Sequence, residues 1–95
     1  LSRDGMLIVL VTMGLESKSL LAAPEIISRG MQIGEDFLDP LKDIVSEEVA
    51  KIDYKGAGDR GKLKASIRRQ LSRYVSNKLR QKPMILPIIT EVDNA

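Results

Sequence analysis

Lys62, Arg69, Arg73 and Arg80 are separated by seven, four and seven residues. On an α-helix advancing 100° per residue they fall within about 40° of one another. The opposite side of that helix carries Leu63, Ile67, Leu71, Tyr74, Val75 and Leu79. A regular row of ammonium and guanidinium groups can displace counterions from a phosphate backbone, which makes these four the candidates for nucleic-acid contact. The same row is also what a solvated helix face looks like. Base stacking has little to work with, since the chain holds one Phe and two Tyr, and an acidic helix alongside would repel phosphate.

That acidic neighbour is set by Asp39, Asp43 and Glu47, which share the outer face of an earlier helical segment. Such a row could attract a divalent cation, but this spacing is ordinary helix surface, and no metal ligand is assigned. The charge split runs the length of the chain. Residues 1–59 hold six Lys/Arg against eleven Asp/Glu, a net −5, and residues 60–95 hold nine against two, a net +7, within an overall +2. Acidic and basic rows of this kind can also pair across a two-fold axis, which sets orientation more than affinity.

Other chemistry is excluded by what the chain lacks. It has neither histidine nor cysteine. That removes the usual zinc sites, Ser-His and Cys-His nucleophiles, the commonest general base and any disulfide framework. Gly56-Ala57-Gly58 is too short and isolated for a phosphate loop and reads as a linker, and Ser28 in Ser28-Arg29-Gly30 has no base to activate it. No catalytic residue and no cofactor-binding residue is assigned, and the chain alone is not expected to be an enzyme. There is no apolar run of membrane-spanning length and no signal-peptide pattern, so a cytoplasmic location is expected. The first residue is Leu1 and not Met, which suggests a piece of a larger protein.

The elements that must position these residues follow from the hydrophobic period. At 95 residues, 43% hydrophobic and 29% charged, the chain should fold as one domain with a single two-layer core. Residues 6–13, MLIVLVTM, read as a strand buried on both faces, preceded by an Asp4-Gly5 turn. Residues 24–31, PEIISRGM, read as a shorter strand closed by Gly30. A helix is expected from Asp39 as N-cap with Pro40 in the first turn, carrying Leu41, Ile44, Val45, Val49 and Ile52 on one side. The glycines of 53–61 break it, and a second helix runs from about Lys62 to Gln81. Pro83 then opens a last strand. The fold class is α/β in the α+β sense: a three-stranded mixed sheet packed with two helices, in the order β-β-α-α-β. The third strand should lie parallel to the first and beside it, with Pro87 tolerated only on an edge strand or at a bulge.

Both faces of that sheet are apolar. In the last strand Met84, Leu86, Ile88 and Val92 point one way and Ile85, Pro87 and Ile89 the other; in the first, Met6, Ile8 and Leu10 oppose Leu7, Val9 and Val11. Two helices with single stripes cover one face and leave about 300 Å² of the other open, near the largest apolar patch a monomer usually exposes. The glycine-rich link could instead place the helices on opposite faces. The interface candidates are Val9, Val11, Ile85 and Ile89, with Ile89→Asp or Val9→Asp expected to disturb association more than folding.

PMILPIITEV at 83–92, APEIISRG at 23–30 and RDGMLIVLVT at 3–12 together resemble the C-terminal domain of bacterial ribonuclease J, in the same order and across essentially the whole chain. The resemblance implies that residues 1–95 are a single C-terminal domain of a larger ribonuclease whose catalytic domains are absent. In that family a metallo-β-lactamase core and an inserted β-CASP domain degrade RNA as a 5′ to 3′ exonuclease and endonuclease. They usually do so with two divalent metal ions, zinc or manganese, in the catalytic domain. Nothing catalytic carries over to this sequence, because the family's His/Asp motif has no counterpart in it. The family's C-terminal domain is associated with dimer formation and full activity. The implied role is a non-catalytic interaction and dimerisation module, whose partners are a second copy or the parent's catalytic domains. The alternative is an RNA-backbone-binding module using Lys62, Arg69, Arg73 and Arg80.

Overall fold

The computed structural model describes residues 3–94. Strand β1 (Met6–Gly14) is followed by β2 (Glu25–Arg29), helix α1 (Glu35–Lys51), a 3-10 turn at Ala57–Asp59, helix α2 (Arg60–Leu79) and strand β3 (Met84–Val92). The strands form one sheet in the order β2-β1-β3. The β1/β2 pair is antiparallel and the β1/β3 pair parallel, with Ile8 opposite both Ile27 and Leu86. The order, the parallel pairing and the mixed α+β class all agree with the pattern in the sequence.

The central position of β1 follows from its composition. Nine residues without an internal charge, MLIVLVTMG, suit a strand flanked on both sides, whereas β2 carries Glu25 and Arg29 and β3 carries Pro87. Gly5, immediately before β1, has a φ of +92°, and a Cβ there would stand 2.6 Å from the Arg29 carbonyl oxygen. Only glycine lets the start of β1 cross so close to the end of β2.

Both helices lie on one face. Leu38, Leu41, Val45 and Val49 of α1 and Leu63, Ile67, Leu71 and Val75 of α2 form one cluster with Leu7, Val9, Val11, Met13, Ile26, Ile85 and Ile89 of the sheet. Burying each such side chain contributes about 1.5–3 kcal/mol. The alternative arrangement, with helices on opposite faces, does not occur.

Three boundaries differ from expectation. Helix α1 begins at Glu35, not at Asp39, with Gly34 as N-cap and Pro40 inside the helix. The extra turn places Leu38 in the core and sets Phe37 against Tyr74, ring centroids 6.0 Å apart. That burial outweighs the main-chain hydrogen bond which Pro40 cannot donate. Helix α2 runs two residues earlier than expected and stops where Arg80 turns left-handed at φ 56°, its N–H donating to the Ser76 carbonyl at 2.9 Å. Strand β2 is five residues, trimmed by Pro24 before it and by Gly30, at φ +72°, after it.

Candidate interaction surface

Register assigns each strand residue to a face. On the side away from the helices, Arg29, Met6 and Met84 form one cross-strand row, Ile27, Ile8 and Leu86 the next, Glu25, Leu10 and Ile88 a third, and Thr12 and Thr90 a fourth. Met84, Leu86, Ile88 and Val92 are about 40% exposed, and Met6, Ile8, Leu10 and Ile27 are half-buried only by one another. The result is a continuous apolar surface of Met, Ile and Leu. It is rimmed by Glu25 and Arg29 along β2 and by threonines at one end.

The four interface candidates named from the sequence do not belong to it. Val9 and Val11 are at most 1% exposed, and Ile85 and Ile89 no more than 8%, all beneath the helices. The alternation was legible but the choice of side was not, because both parities are apolar. A signal did exist: Thr12 alternates in step with Ile8, Thr90 with Leu86, and Glu25 and Arg29 with Ile27, all on one face. Polar residues collect on the face that meets water. The expectation for Ile89→Asp and Val9→Asp is corrected accordingly, since each would bury a carboxylate in the core.

The two sheet edges are unlike. In the β1/β3 ladder Met84 donates to the Gly5 carbonyl at 2.9 Å and Leu15 donates to the Val92 carbonyl at 2.8 Å. Even-numbered residues of β3 therefore turn their main-chain groups toward β1 and odd-numbered ones turn them outward. Pro87 is odd. Its missing N–H costs the sheet nothing and removes a donor from the middle of the free edge.

The cationic candidates Lys62, Arg69, Arg73 and Arg80 are all exposed. Eighteen residues at 1.5 Å each spread them over about 27 Å. Arg73 does not face open solvent alone: Glu47, Glu48, Lys51, Gln70 and Tyr74 line the same shallow groove between α1 and α2. Arg69 lies close enough to Glu48 for its charge to lower the pKa of that carboxylate. Basic and acidic helices thus meet along a seam, and the phosphate attraction of Arg69 and Arg73 is partly cancelled there.

Two polar groupings, one buried and one part-buried, were not anticipated. Glu48, 6% exposed, accepts a hydrogen bond from the Ser66 hydroxyl at 2.5 Å and pairs with Lys51 at 3.1 Å. The Ser66 bond, more than the Lys51 charge, holds its pKa below the ordinary glutamate value, against the opposing effect of burial. At the other end of α2, Arg60 donates to Glu91 of β3 at 2.6 Å. The Tyr54 hydroxyl is buried beside them, near enough for burial and then Glu91 to raise its pKa but without a well-aligned hydrogen bond. Both groupings tie elements together. Among the described residues no three carboxylates, histidines or cysteines approach closely enough to share an ion. No described helix is long and apolar enough to cross a membrane.

Residues 1–92 match the family described as the ribonuclease J C-terminal domain. The chain is 35% identical over 95 residues to ribonuclease J2 of Bacillus subtilis, covering 97% of this chain and 17% of that protein. It is 31% identical over 96 residues to ribonuclease J 2 of Staphylococcus epidermidis and 30% identical over 95 residues to that of Streptococcus pyogenes, with the same coverage. The chain therefore spans about a sixth of the length of these relatives.

Proposed function

The chain belongs to the ribonuclease J C-terminal domain family, and on that premise we propose that it is a non-catalytic interaction module supporting a ribonuclease J-like 5′ to 3′ exo- and endoribonuclease in RNA processing and decay. Its working surface is the open face of the sheet. The observation that carries this reading is the uncovered row of Met84, Leu86 and Ile88, each about 40% exposed, continuous with Met6, Ile8 and Leu10. A patch of this size and composition marks a contact surface on a soluble domain. The chemistry of RNA cleavage belongs to the parent's other domains, and the module contributes self-association and docking.

Sedimentation equilibrium of this chain, with and without Leu86→Asp, tests the proposal. The expected result is a concentration-dependent dimer that survives high salt and is lost in Leu86→Asp while far-UV circular dichroism stays unchanged. A monomer at all concentrations, in the unmodified chain, would defeat the self-association reading.

A second reading rests on the exposure of Lys62, Arg69, Arg73 and Arg80 along one helix, which would let the module grip an RNA backbone. It requires binding that weakens steeply with salt.

A further inference from the structure

At the end of the sheet where β1 and β3 both stop, the chain turns back toward β2 through a tight loop. The Lys18 N–H donates to the Gly14 carbonyl at 3.0 Å and the Gly14 N–H donates to the Ser19 carbonyl at 2.9 Å, which closes residues 14–19 on themselves. Closure puts Lys18 in the left-handed region at φ 57°, a conformation that its Cβ disfavours. Residues 15–19 are all exposed, so they bury almost nothing to offset that strain. The support comes from Asn94, two residues beyond β3. The successive N–H groups of Glu16 and Ser17 converge on its side-chain carbonyl oxygen at 2.8 and 3.4 Å, the concave arrangement of main-chain donors that ordinarily holds an anion. Gly14 makes room for it, since a Cβ there would stand 2.7 Å from the Asn94 amide nitrogen. On its other side the loop reaches the connection between the helices, where the Lys18 ammonium donates to the Lys55 carbonyl at 3.1 Å. Lys18, Ser19 and Leu20 thereby form one wall of a cleft of about 400 Å³, whose other wall is Ser46, Val49, Ala50 and Ile52.

We propose that Asn94 is a latch: its side-chain carbonyl holds the 14–19 loop shut, and its withdrawal lets Lys18 relax out of the left-handed conformation, release Lys55 and open the cleft against α1. Few contacts separate the two states. Latched, the loop keeps the bonds from Glu16 and Ser17 to Asn94 and the bond from Lys18 to Lys55. Released, it gains relief at Lys18 and the conformational freedom of exposed residues. Opposing terms of similar size make an equilibrium that a single side chain can tip. The latch also decides where two apolar side chains of the same connection stand. Leu15 and Leu21 are 37% and 41% exposed, and their N–H groups donate to the Val92 and Thr12 carbonyls. The segment that follows β3 thus governs both the cleft and the position of these leucines, whichever of the two functional readings holds.

Amide hydrogen exchange on the unmodified chain, Asn94→Ala and Asn94→Asp tests the latch. Glu16 and Ser17 should be protected in the unmodified chain despite their exposure, and Asn94→Ala should speed their exchange by about tenfold or more. Asn94→Asp keeps an acceptor oxygen in the same cradle and should retain the protection. Trypsin should cut after Lys18 faster in Asn94→Ala by a similar factor, because cleavage tracks the open population, while the thermal melt stays cooperative. The amide resonances of Ser46 and Ala50, across the cleft from Lys18, should shift in the same variant. If Asn94→Ala exchanges and is cleaved as the unmodified chain is, or if Asn94→Asp loses protection as fully as Asn94→Ala does, the acceptor oxygen does not hold the loop and the proposal is overturned. Loss of the cooperative melt in Asn94→Ala overturns it as well, since Asn94 would then support the whole fold and not one loop.

Discussion

Val9 and Leu86 lie on adjacent strands, are both aliphatic, and have opposite fates: Val9 is fully buried under the helices and Leu86 is 41% exposed on the open face. A carboxylate at Val9 has no cation within the apolar cluster, so it must either stay charged in a low-dielectric interior or give up the fold. Val9→Asp is expected to destabilise by more than about 4 kcal/mol, enough to remove the cooperative thermal melt; a folded, cooperatively melting variant would contradict the placement of the core. Tyr54 makes the reverse point. Its hydroxyl is buried among Arg60 and Glu91 with no well-aligned partner, and an unsatisfied buried hydroxyl is a cost. Tyr54→Phe should therefore be neutral or stabilising by up to about 1 kcal/mol in urea denaturation, whereas a loss larger than that would mean the hydroxyl bonds to Glu91. Neither the Tyr54 grouping nor the Glu48 grouping was legible in the sequence. Each joins residues far apart in the chain, Arg60 to Glu91 and Glu48 to Ser66, and no period marks which polar side chain turns inward.

Elements were legible where one force dominates. Strand β1 is apolar throughout, and α2 carries an uninterrupted stripe from Leu63 to Val75, so burial alone decides both. The start of α1 was not, because local and tertiary forces disagree there: Asp39-Pro40 is a good helix opening by local rules, while Phe37 and Leu38 gain more by packing. Pro40 is thus a retained cost within the helix, and Pro40→Ala should stabilise the domain by about 1–3 kcal/mol in urea denaturation. An unchanged midpoint would show that the first turn contributes little. The seam between the helices has a pH signature as well. Folding holds the Glu48 carboxyl below the ordinary glutamate value, chiefly through Ser66, so its stabilisation is complete at neutral pH. It begins to drain as pH falls below that ordinary value and is gone below the lowered folded value. Glu48→Gln should flatten the acid limb of the stability profile; a limb of unchanged slope would place the responsible carboxyl elsewhere.

At the scale of the whole molecule, one helix faces outward with acid, its neighbour faces outward with base, and the sheet behind them is apolar. The two functional readings therefore use opposite sides of the domain and respond differently to salt. Binding RNA through Lys62, Arg69, Arg73 and Arg80 would neutralise about four phosphates, and on a single strand log K should fall against log salt with a slope of about −3. Association through the open face of the sheet buries apolar side chains, an effect that salt screens weakly. Because Glu47 and Glu48 share a groove with Arg73, the sheet side is favoured. Reversing Arg69 and Arg73 together to Glu should leave the dimer constant within about threefold and leave any weak affinity for a single-stranded RNA oligomer at the level of nonspecific binding. If the unmodified chain instead binds the oligomer with a slope near −3, and the double reversal removes that binding without changing sedimentation, α2 is the functional surface. The open sheet would then be left to the domains that make up the rest of the parent.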